Sequence, residues 1–274
     1  MSLIGSLAGN LLRSTATPSA GHAPGASAEV AELRRLYLDM VQRTIINTVY
    51  EDPAQTFGTS YQPEVREIGS DWPSLAHSMI GNRRMGNLRA VCEDSIAERI
   101  PGDFIETGVW RGGACILMRA VLKAWGITDR SVWVADSFAG LPPPTPDKYP
   151  ADRGDNSFEY RELAVSMEQV QANFAKYDLL DDQVRFLKGW FKDTLPAAPI
   201  ERLAVLRLDG DMYESTMDAL NALYHKVSPG GFVIIDDYIL PKCRAAIADF
   251  RRAKGISETI IDIDGAGVYW RKLT

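Results

Sequence analysis

Four acidic residues stand where two buried strands are predicted to end. Asp209 and Asp211 follow the apolar run LAVLRL, and Asp236 and Asp237 follow FVII. Parallel strands deliver their carboxyl ends to one edge of a sheet, so we expect the four carboxylates to meet in one crevice. Carboxylate oxygens suit Mg²⁺, which predicts a magnesium site. The alternative, that each aspartate caps its own helix, accounts for one of them but not for all four.

A glycine-rich turn is predicted directly after the first strand, in the sequence ETGVWRGG that runs from Glu106 to Gly113. Glycines let backbone approach a ligand closely, and the free N–H groups at a helix start attract negative charge. The spacing departs from GxGxxG, and such a turn can simply reverse the chain. Asp136 ends the second strand, where a carboxylate can accept hydrogen bonds from both ribose hydroxyls. Together these features predict a nucleoside cofactor; the alternatives are that Glu106 lies on the surface and that Asp136 caps a turn.

Other candidates carry less information. Trp190, with Gly189 before it, follows the third strand and could cover an adenine ring, although packing in the core is the alternative. His77 is a reserve general base if it faces the cleft. Three arginines in the same region are predicted to form a solvated helix face: Arg83, Arg84 and Arg89.

The elements that must position these residues alternate after Pro101 between short apolar runs and helix-like stretches. This alternation predicts an α/β fold with a mainly parallel sheet covered on both faces. Seven candidate strands end in a hairpin around Asp264 and Gly265. We therefore expect a Rossmann-like domain over residues 101–274, with a lid insertion over 138–182 that contains one helix with Met167, Val170, Phe174 and Tyr177 on one face.

The first hundred residues are predicted to precede this domain as a separate region. Residues 1–28 are small and proline-containing and are read as a flexible tail. Residues 29–100 form a helical extension or lid, with one amphipathic helix from Glu29 to Tyr50 and another helical region from about Ser74 to Glu98. The first helix either supplies a dimer surface or packs on its own domain, and we expect a homo-oligomer.

Composition narrows the class of protein. The chain has 274 residues, 46% of them hydrophobic and 24% charged, which excludes disorder throughout. A formal charge of −6 argues against a nucleic-acid partner. No apolar run is long enough for a membrane span, no secretory signal is recognisable, and three scattered cysteines form no disulfide framework. We therefore expect a cytoplasmic protein with a small-molecule substrate and no membrane partner.

Several motifs in order resemble the macrocin O-methyltransferase family, whose members methylate sugar hydroxyls on glycosylated antibiotics. They are ETGVWRGGACI, VWVADSF, GWFKDTLP, LRLDGDMYESTMDAL and SPGGFVIIDDY, with AHSMIG ahead of them. The resemblance covers about Leu36 to Lys272. It implies a class I S-adenosylmethionine-dependent methyltransferase fold of seven strands, the last antiparallel, and a divalent metal, usually Mg²⁺.

The resemblance also implies roles for individual residues. Glu106, Gly108 and Gly112 would surround the methionine part of S-adenosylmethionine, Asp136 and Ser137 would meet the ribose, and Trp190 the adenine; Thr107 and Gly189 complete the cofactor-binding set. Asp209, Asp236 and Asp237 would hold the metal, and Asp211 would be the general base. Trp72 stands where other members can have Tyr, so a polar contact from that position does not carry over.

The predicted reaction is therefore methyl transfer to a sugar hydroxyl of a glycosylated antibiotic or a similar natural product. A catechol-type phenol is an alternative acceptor, since two adjacent oxygens can also chelate Mg²⁺. A nicotinamide-dependent oxidoreductase could use the glycine turn and Asp136, but it leaves the clustered acids unexplained. A binding module without activity would have no use for a metal site beside a candidate base.

Overall fold

The computed structural model describes residues 27–55 and 59–273. The predicted flexible tail lies outside these residues except for its last two. Within the described ranges the chain forms eight α-helices: α1 (Ala28–Ile45), α2 (Pro63–Glu67), α3 (Gly81–Ala97), α4 (Gly113–Ala124), α5 (Met167–Lys176), α6 (Phe191–Thr194), α7 (Tyr213–Leu223) and α8 (Pro241–Lys254). None of these helices is both long and apolar enough to cross a membrane. The cytoplasmic location stays a prediction.

A single seven-stranded sheet is the centre of the described residues. Its strands are β1 (Asp103–Thr107), β2 (Val132–Asp136), β3 (Val184–Lys188), β4 (Leu203–Leu208), β5 (Val227–Ile235), β6 (Ile261–Asp262) and β7 (Val268–Arg271), in the order β3-β2-β1-β4-β5-β7-β6. The first five run parallel, and β7 is antiparallel to both β5 and β6. The predicted fold, including the closing hairpin, is confirmed.

The strand order places a crevice between β1 and β4. From β1 the chain winds outward through β2 to β3, and then crosses to β4 and continues to β5 on the other side. Helices that follow these two strands leave on opposite faces, which opens a gap beyond the strand ends. Two apolar cores, one on each face, hold the sheet rigid beneath that gap. The residues that follow β1, β2, β4 and β5 are therefore delivered to one place.

The helical extension differs from the predicted boundaries. The first helix ends at Ile45 instead of Tyr50, because Asn47 adopts a left-handed φ of 52° and its side chain donates to Asp52 at 2.7 Å. Asparagine tolerates this conformation better than most residues. Residues 74–80 are not helical, since their backbone is held by the Asp52 carboxylate through the amides of Leu75 and Ala76. The second predicted helical region corresponds to α3, which therefore begins at Gly81 instead of about Ser74.

The insertion over residues 138–182 is fastened to the domain at its middle. Asp152 is 1% exposed and accepts hydrogen bonds from the amides of Tyr213 and Glu214 at 2.7 and 2.9 Å, so it caps α7. Asp155 forms an ion pair with Lys242 at the start of α8. The predicted helix is α5, and its face of Val170 and Phe174 is fully buried in the core. A lid function for the insertion stays a prediction.

Candidate active site

A cavity of about 590 Å³ lies beyond the ends of β1, β2, β4 and β5. This volume is in the range of small-molecule and cofactor sites. The predicted site residues that line it are Glu106, Gly108, Asp136, Ser137, Gly189, Trp190, Asp209, Asp211, Asp236 and Asp237. Ten residues predicted from several separate motifs thus line one cavity.

Two predicted cofactor residues do not line the cavity. Thr107 follows Glu106 on β1, and successive strand side chains point to opposite faces, so the buried Thr107 hydroxyl points away and bonds to none of the described residues. Gly112 is the N-cap residue of α4 and has a φ of +87°, and a Cβ there would lie 2.7 Å from Val170 Cγ1 on α5. The glycine therefore permits close packing of the insertion. Contact of Thr107 and Gly112 with the cofactor stays a prediction.

Three of the four clustered aspartates converge. Carboxylate oxygens of Asp209, Asp211 and Asp237 lie within 4.8 Å of one another, and the Asp211 amide donates to Asp237 at 2.9 Å. Removal from bulk water and the neighbouring carboxylates raise the pKa of Asp209 to about 6 and that of Asp211 to about 7, and they raise the pKa of Asp237 well above its usual range. Such a group is stable when a proton or a cation offsets the repulsion. The donor set, all carboxylate oxygen, fits a hard divalent ion.

The fourth aspartate, Asp236, has other partners than the cluster, and its predicted role as a metal ligand stays a prediction. Asp236 and Asp237 are consecutive, so their side chains diverge, and Asp236 turns away from the cluster. One of its oxygens pairs with Arg84 and the other with Arg207. In this structure Asp211 takes the place that the prediction gave to Asp236 among the converging carboxylates.

Two buried arginines pair with predicted site residues, which the sequence analysis did not expect. Arg207 lies in β4 with its side chain 1% exposed, and it pairs with Glu106, Asp209 and Asp236. An arginine inside the apolar run LAVLRL was a usable signal, because a buried guanidinium needs carboxylate partners. Arg84, predicted on a solvated face, is nearly buried in the cavity wall. Arg84 precedes the buried Leu88 by one helical turn, so the helical spacing placed its side chain on the inward face.

The cofactor half of the cavity is built around Asp136. Its oxygens accept hydrogen bonds from the amides of Val109 in the glycine-rich turn and Phe138 in the next loop, each at 2.7 Å. Burial raises the pKa of Asp136. Ser137 beside it donates to the Gly140 carbonyl at 2.6 Å. Asp136 therefore caps local turns, as the alternative held, and also lines the cavity; its contact with ribose stays a prediction.

Glu106 is buried and not a surface carboxylate. It is 2% exposed, pairs with Arg207, and accepts a hydrogen bond from the Cys115 thiol at 3.0 Å. Burial raises its pKa to about 7 against the opposing effect of Arg207. Glu106 thus lines the cavity as a partner of Arg207, and its contact with the methionine part of the cofactor stays a prediction.

Gly108 lets the β1 loop pass against the β4 loop. Its φ is +86°, and a Cβ would lie 1.6 Å from the Asp209 carbonyl oxygen, which is backbone and has no room to move.

We expect Gly108→Ala to lower the free energy of unfolding by about 3 kcal/mol or more. Gly126→Ala is the matched control, because its φ is +67° with nothing within 4 Å; it should cost about 1 kcal/mol. Urea unfolding of both variants measures the difference, and equal losses would contradict the steric argument.

His77, the reserve base, lies outside the cavity lining. Its Nδ1 is 2.8 Å from the Tyr177 hydroxyl at the end of α5, so the ring connects the extension to the insertion. Burial lowers its pKa from 6.5 to about 4. Unlike Asp211, it does not face the other predicted site residues.

The lowered pKa of His77 predicts a loss of stability in acid. Between pH 6.5 and 4 the unfolded chain binds a proton at this residue that the native protein does not, so the free energy of unfolding falls as the pH falls. We expect a loss of at most about 2 kcal/mol between pH 7 and 5 from this residue. Urea unfolding of the wild type and of His77→Gln at both pH values isolates it; the variant should lose less, and parallel losses would refute the assignment.

Comparison with known proteins places this geometry in a family. The family model described as Macrocin-O-methyltransferase (TylF) matches residues 39–272. The chain belongs to the macrocin O-methyltransferase family. This agrees with the family resemblance of the sequence motifs, and it makes the chain an S-adenosylmethionine-dependent O-methyltransferase.

Individual members of the macrocin O-methyltransferase family are similar over most of their length. The chain is 52% identical over 244 residues to the mycinamicin III 3''-O-methyltransferase of Micromonospora griseorubida, covering 86% of this chain and 96% of that protein. It is 55% identical over 244 residues to the 8-demethyl-8-(2,3-dimethoxy-alpha-L-rhamnosyl)-tetracenomycin-C 4'-O-methyltransferase of Streptomyces olivaceus, covering 88% and 94%. The solved O-methyltransferase NovP superimposes with a TM-score of 0.86 at 54% identity, covering 88% of this chain and 100% of that one.

Proposed function

We propose that the protein methylates a sugar hydroxyl of a glycosylated antibiotic, with S-adenosylmethionine as donor and Mg²⁺ in the acidic cluster. The observation that carries the proposal is the convergence of Asp209, Asp211 and Asp237 in the same cavity as Glu106 and Asp136. A hydroxyl acceptor near the cluster would lie beside the cofactor. The relatives support the acceptor class, because one is named for mycinamicin III and another for a rhamnosyl tetracenomycin.

The walls of the cavity support a glycoside with a large apolar aglycone. Apolar groups come from the extension, the insertion and the loop after β5: Trp72, Met79, Leu141, Pro142, Pro143, Pro144, Ile239 and Leu240. The lining cations are Lys192 and Arg84, and the latter is already paired with Asp236. A sugar attached to a nucleoside diphosphate would bring its phosphates against an excess of carboxylates. We therefore expect methylation after the sugar has been joined to the aglycone.

In the proposed reaction a bond forms between the acceptor oxygen and the methyl carbon, and the bond from that carbon to the sulfonium sulfur breaks, with its electron pair remaining on sulfur. The hydroxyl proton passes to Asp211, whose carboxylate lies in the cavity beside Asp209 and Asp237. Asp209 and Asp237 would hold Mg²⁺, which supplies positive charge that favours the deprotonated hydroxyl. Glu106, Asp136 and Ser137 would orient the donor, with Trp190 against the adenine.

The test is a methyl-transfer assay with labelled S-adenosylmethionine and Mg²⁺. The acceptors are deoxysugar-bearing macrolides and aromatic polyketides, their free aglycones, a nucleoside-diphosphate sugar and a catechol. We expect label on the sugar of a glycoside, located by mass spectrometry, and none on the free aglycone. Transfer to the catechol instead would establish the phenolic alternative, and transfer to the nucleotide sugar would overturn the proposed order of the two steps.

We also propose that the enzyme forms a homo-oligomer through α1. An outward apolar face on this helix is formed by Val30, Leu33, Tyr37 and Met40, of which Leu33 is 65% exposed. A second copy of the helix would cover this face, because apolar side chains at helical spacing pack well against each other. Analytical ultracentrifugation of the wild type and of Leu33→Glu tests this. A monomeric wild type would contradict it.

A further inference from the structure

Arg84 connects the acidic half of the cavity to two segments that the proposed chemistry does not use. From α3 its Nε donates to Asp264 at 3.0 Å, in the turn between β6 and β7, and one Nη contacts Asp236. The other Nη donates to the carbonyl oxygens of Ile68 and Gly69 at 3.3 and 3.2 Å. One guanidinium thus joins the end of β5, the closing hairpin and the extension.

The surroundings of Arg84 leave its side chain little freedom. It is 10% exposed, and the Asp264 side chain is fully buried. A Cβ on Gly267 would lie 2.9 Å from Arg84 Cδ, and one on Gly69 would lie 2.7 Å from an Nη. Asp264 is itself fixed, because its other oxygen accepts hydrogen bonds from the amides of Ala266 and Gly267 at 3.1 and 3.0 Å. The hairpin turn is therefore a rigid anchor for the arginine.

The backbone held by Arg84 leads directly into the cavity wall. Gly69 lines the cavity, and so does Trp72 three residues later. The Trp72 ring meets Tyr160 of the insertion edge to face, with 5.7 Å between ring centroids. Only two residues separate Gly69 from Trp72, so the contact with the insertion lies close to the backbone that Arg84 holds. Arg84 thus links the backbone next to this wall to the Asp236 carboxylate at the end of β5.

We propose that Arg84, braced by Asp264, positions the wall formed by Gly69 and Trp72 relative to the acidic cluster and so determines how the acceptor is seated. The inference rests on the proposed function for the nature of the acceptor. Arg84 lies on the side of Asp236 and has no contact with Asp136, Ser137 or Trp190, so it acts on the acceptor half and not on the donor half. It is a positioning residue, because it need not touch either reactant.

Steady-state kinetics and calorimetry of Arg84→Gln test the inference. We expect the KM for the glycoside acceptor to rise about tenfold or more, because a displacement of about 1 Å is enough to cost that much. The dissociation constant of S-adenosylhomocysteine should stay within about twofold. Arg84→Lys should restore part of the loss, since an ammonium group replaces only some of the contacts. Amide hydrogen exchange over residues 68–72 should be faster in Arg84→Gln.

Two further variants separate this effect from general damage. Asp264→Asn removes the charge that holds Nε but keeps an oxygen for the amides of Ala266 and Gly267, and it lies outside the cavity lining; it should raise the same KM by a smaller factor. Arg83→Gln on the same helix, with its side chain 56% exposed, should behave as wild type.

The outcomes distinguish the inference from the proposed function. An unchanged acceptor KM in both Arg84→Gln and Asp264→Asn would overturn the inference, and so would a parallel loss of S-adenosylhomocysteine affinity. A wild-type enzyme that methylates no glycoside would instead refute the proposed function. Faster amide hydrogen exchange over residues 68–72 in Arg84→Gln would still support the positioning role of Arg84.

Discussion

Asp211→Asn is expected to lower kcat by about 10²- to 10⁴-fold, the usual contribution of a positioned general base. The affinity for S-adenosylhomocysteine should remain near that of the wild type, because Asp211 lies with the acidic cluster and not with Asp136 and Ser137. Asparagine is the informative replacement. Asp211 has a left-handed φ of 57°, which asparagine tolerates, and the hydrogen bond from residue 211 to Asp237 comes from the backbone amide.

The matched control for this variant is Asp218→Asn. Asp218 also lines the cavity but stands outside the cluster of three carboxylates. Turnover is measured with saturating donor and acceptor, and S-adenosylhomocysteine binding by calorimetry. If Asp211→Asn turns over as fast as Asp218→Asn, Asp211 is not the base.

Removal of divalent cations with EDTA should abolish methyl transfer, and added Mg²⁺ should restore it. The physical reason is the cost of holding Asp209, Asp211 and Asp237 within 4.8 Å without an opposing charge. Arg84 and Arg207 do not supply that charge to Asp211 and Asp237, because their ion pairs are with Asp209, Asp236, Asp264 and Glu106. We expect activity to fall at least about a hundredfold on chelation.

Cation binding has a readout that needs no acceptor. Mn²⁺ should bind the free enzyme, as followed by electron paramagnetic resonance, and Asp237→Asn should weaken this binding about tenfold or more while Asp218→Asn leaves it unchanged. Full activity after exhaustive chelation, together with no Mn²⁺ binding, would remove the metal from the mechanism.

The fold could be predicted from the sequence because its signals are local. Apolar runs such as LAVLRL and FVII alternate with helical stretches, and this alternation determines the sheet and the edge at which the acids collect. The helix ends were less predictable. The end of α1 depends on Asn47 and Asp52, which meet through a side-chain hydrogen bond that no periodicity encodes.

The orientation of individual side chains could not be predicted from the sequence either. Asp236 and Asp237 look equivalent in the sequence, but they face different partners because Arg84 and Arg207 stand on one side only. Arg84 reaches that side from a helix more than 150 residues away in the chain. His77 likewise faces Tyr177, which lies 100 residues away in the chain.

Asp152, which caps α7, divides the insertion into two stretches that differ in how well they should tolerate replacement by the sequence of a relative. Before Asp152, residues 141–145 line the cavity. The Asp152 carboxylate accepts hydrogen bonds from the two amides that begin α7, the first of them two residues after Asp211. Without this carboxylate these amides would lose their hydrogen-bond acceptor. Chimaeras that aim to change the accepted antibiotic should therefore exchange the proline-rich stretch alone and place the junction ahead of the capping aspartate. A junction beyond it would alter the start of α7 next to Asp211 together with the lining of the cavity.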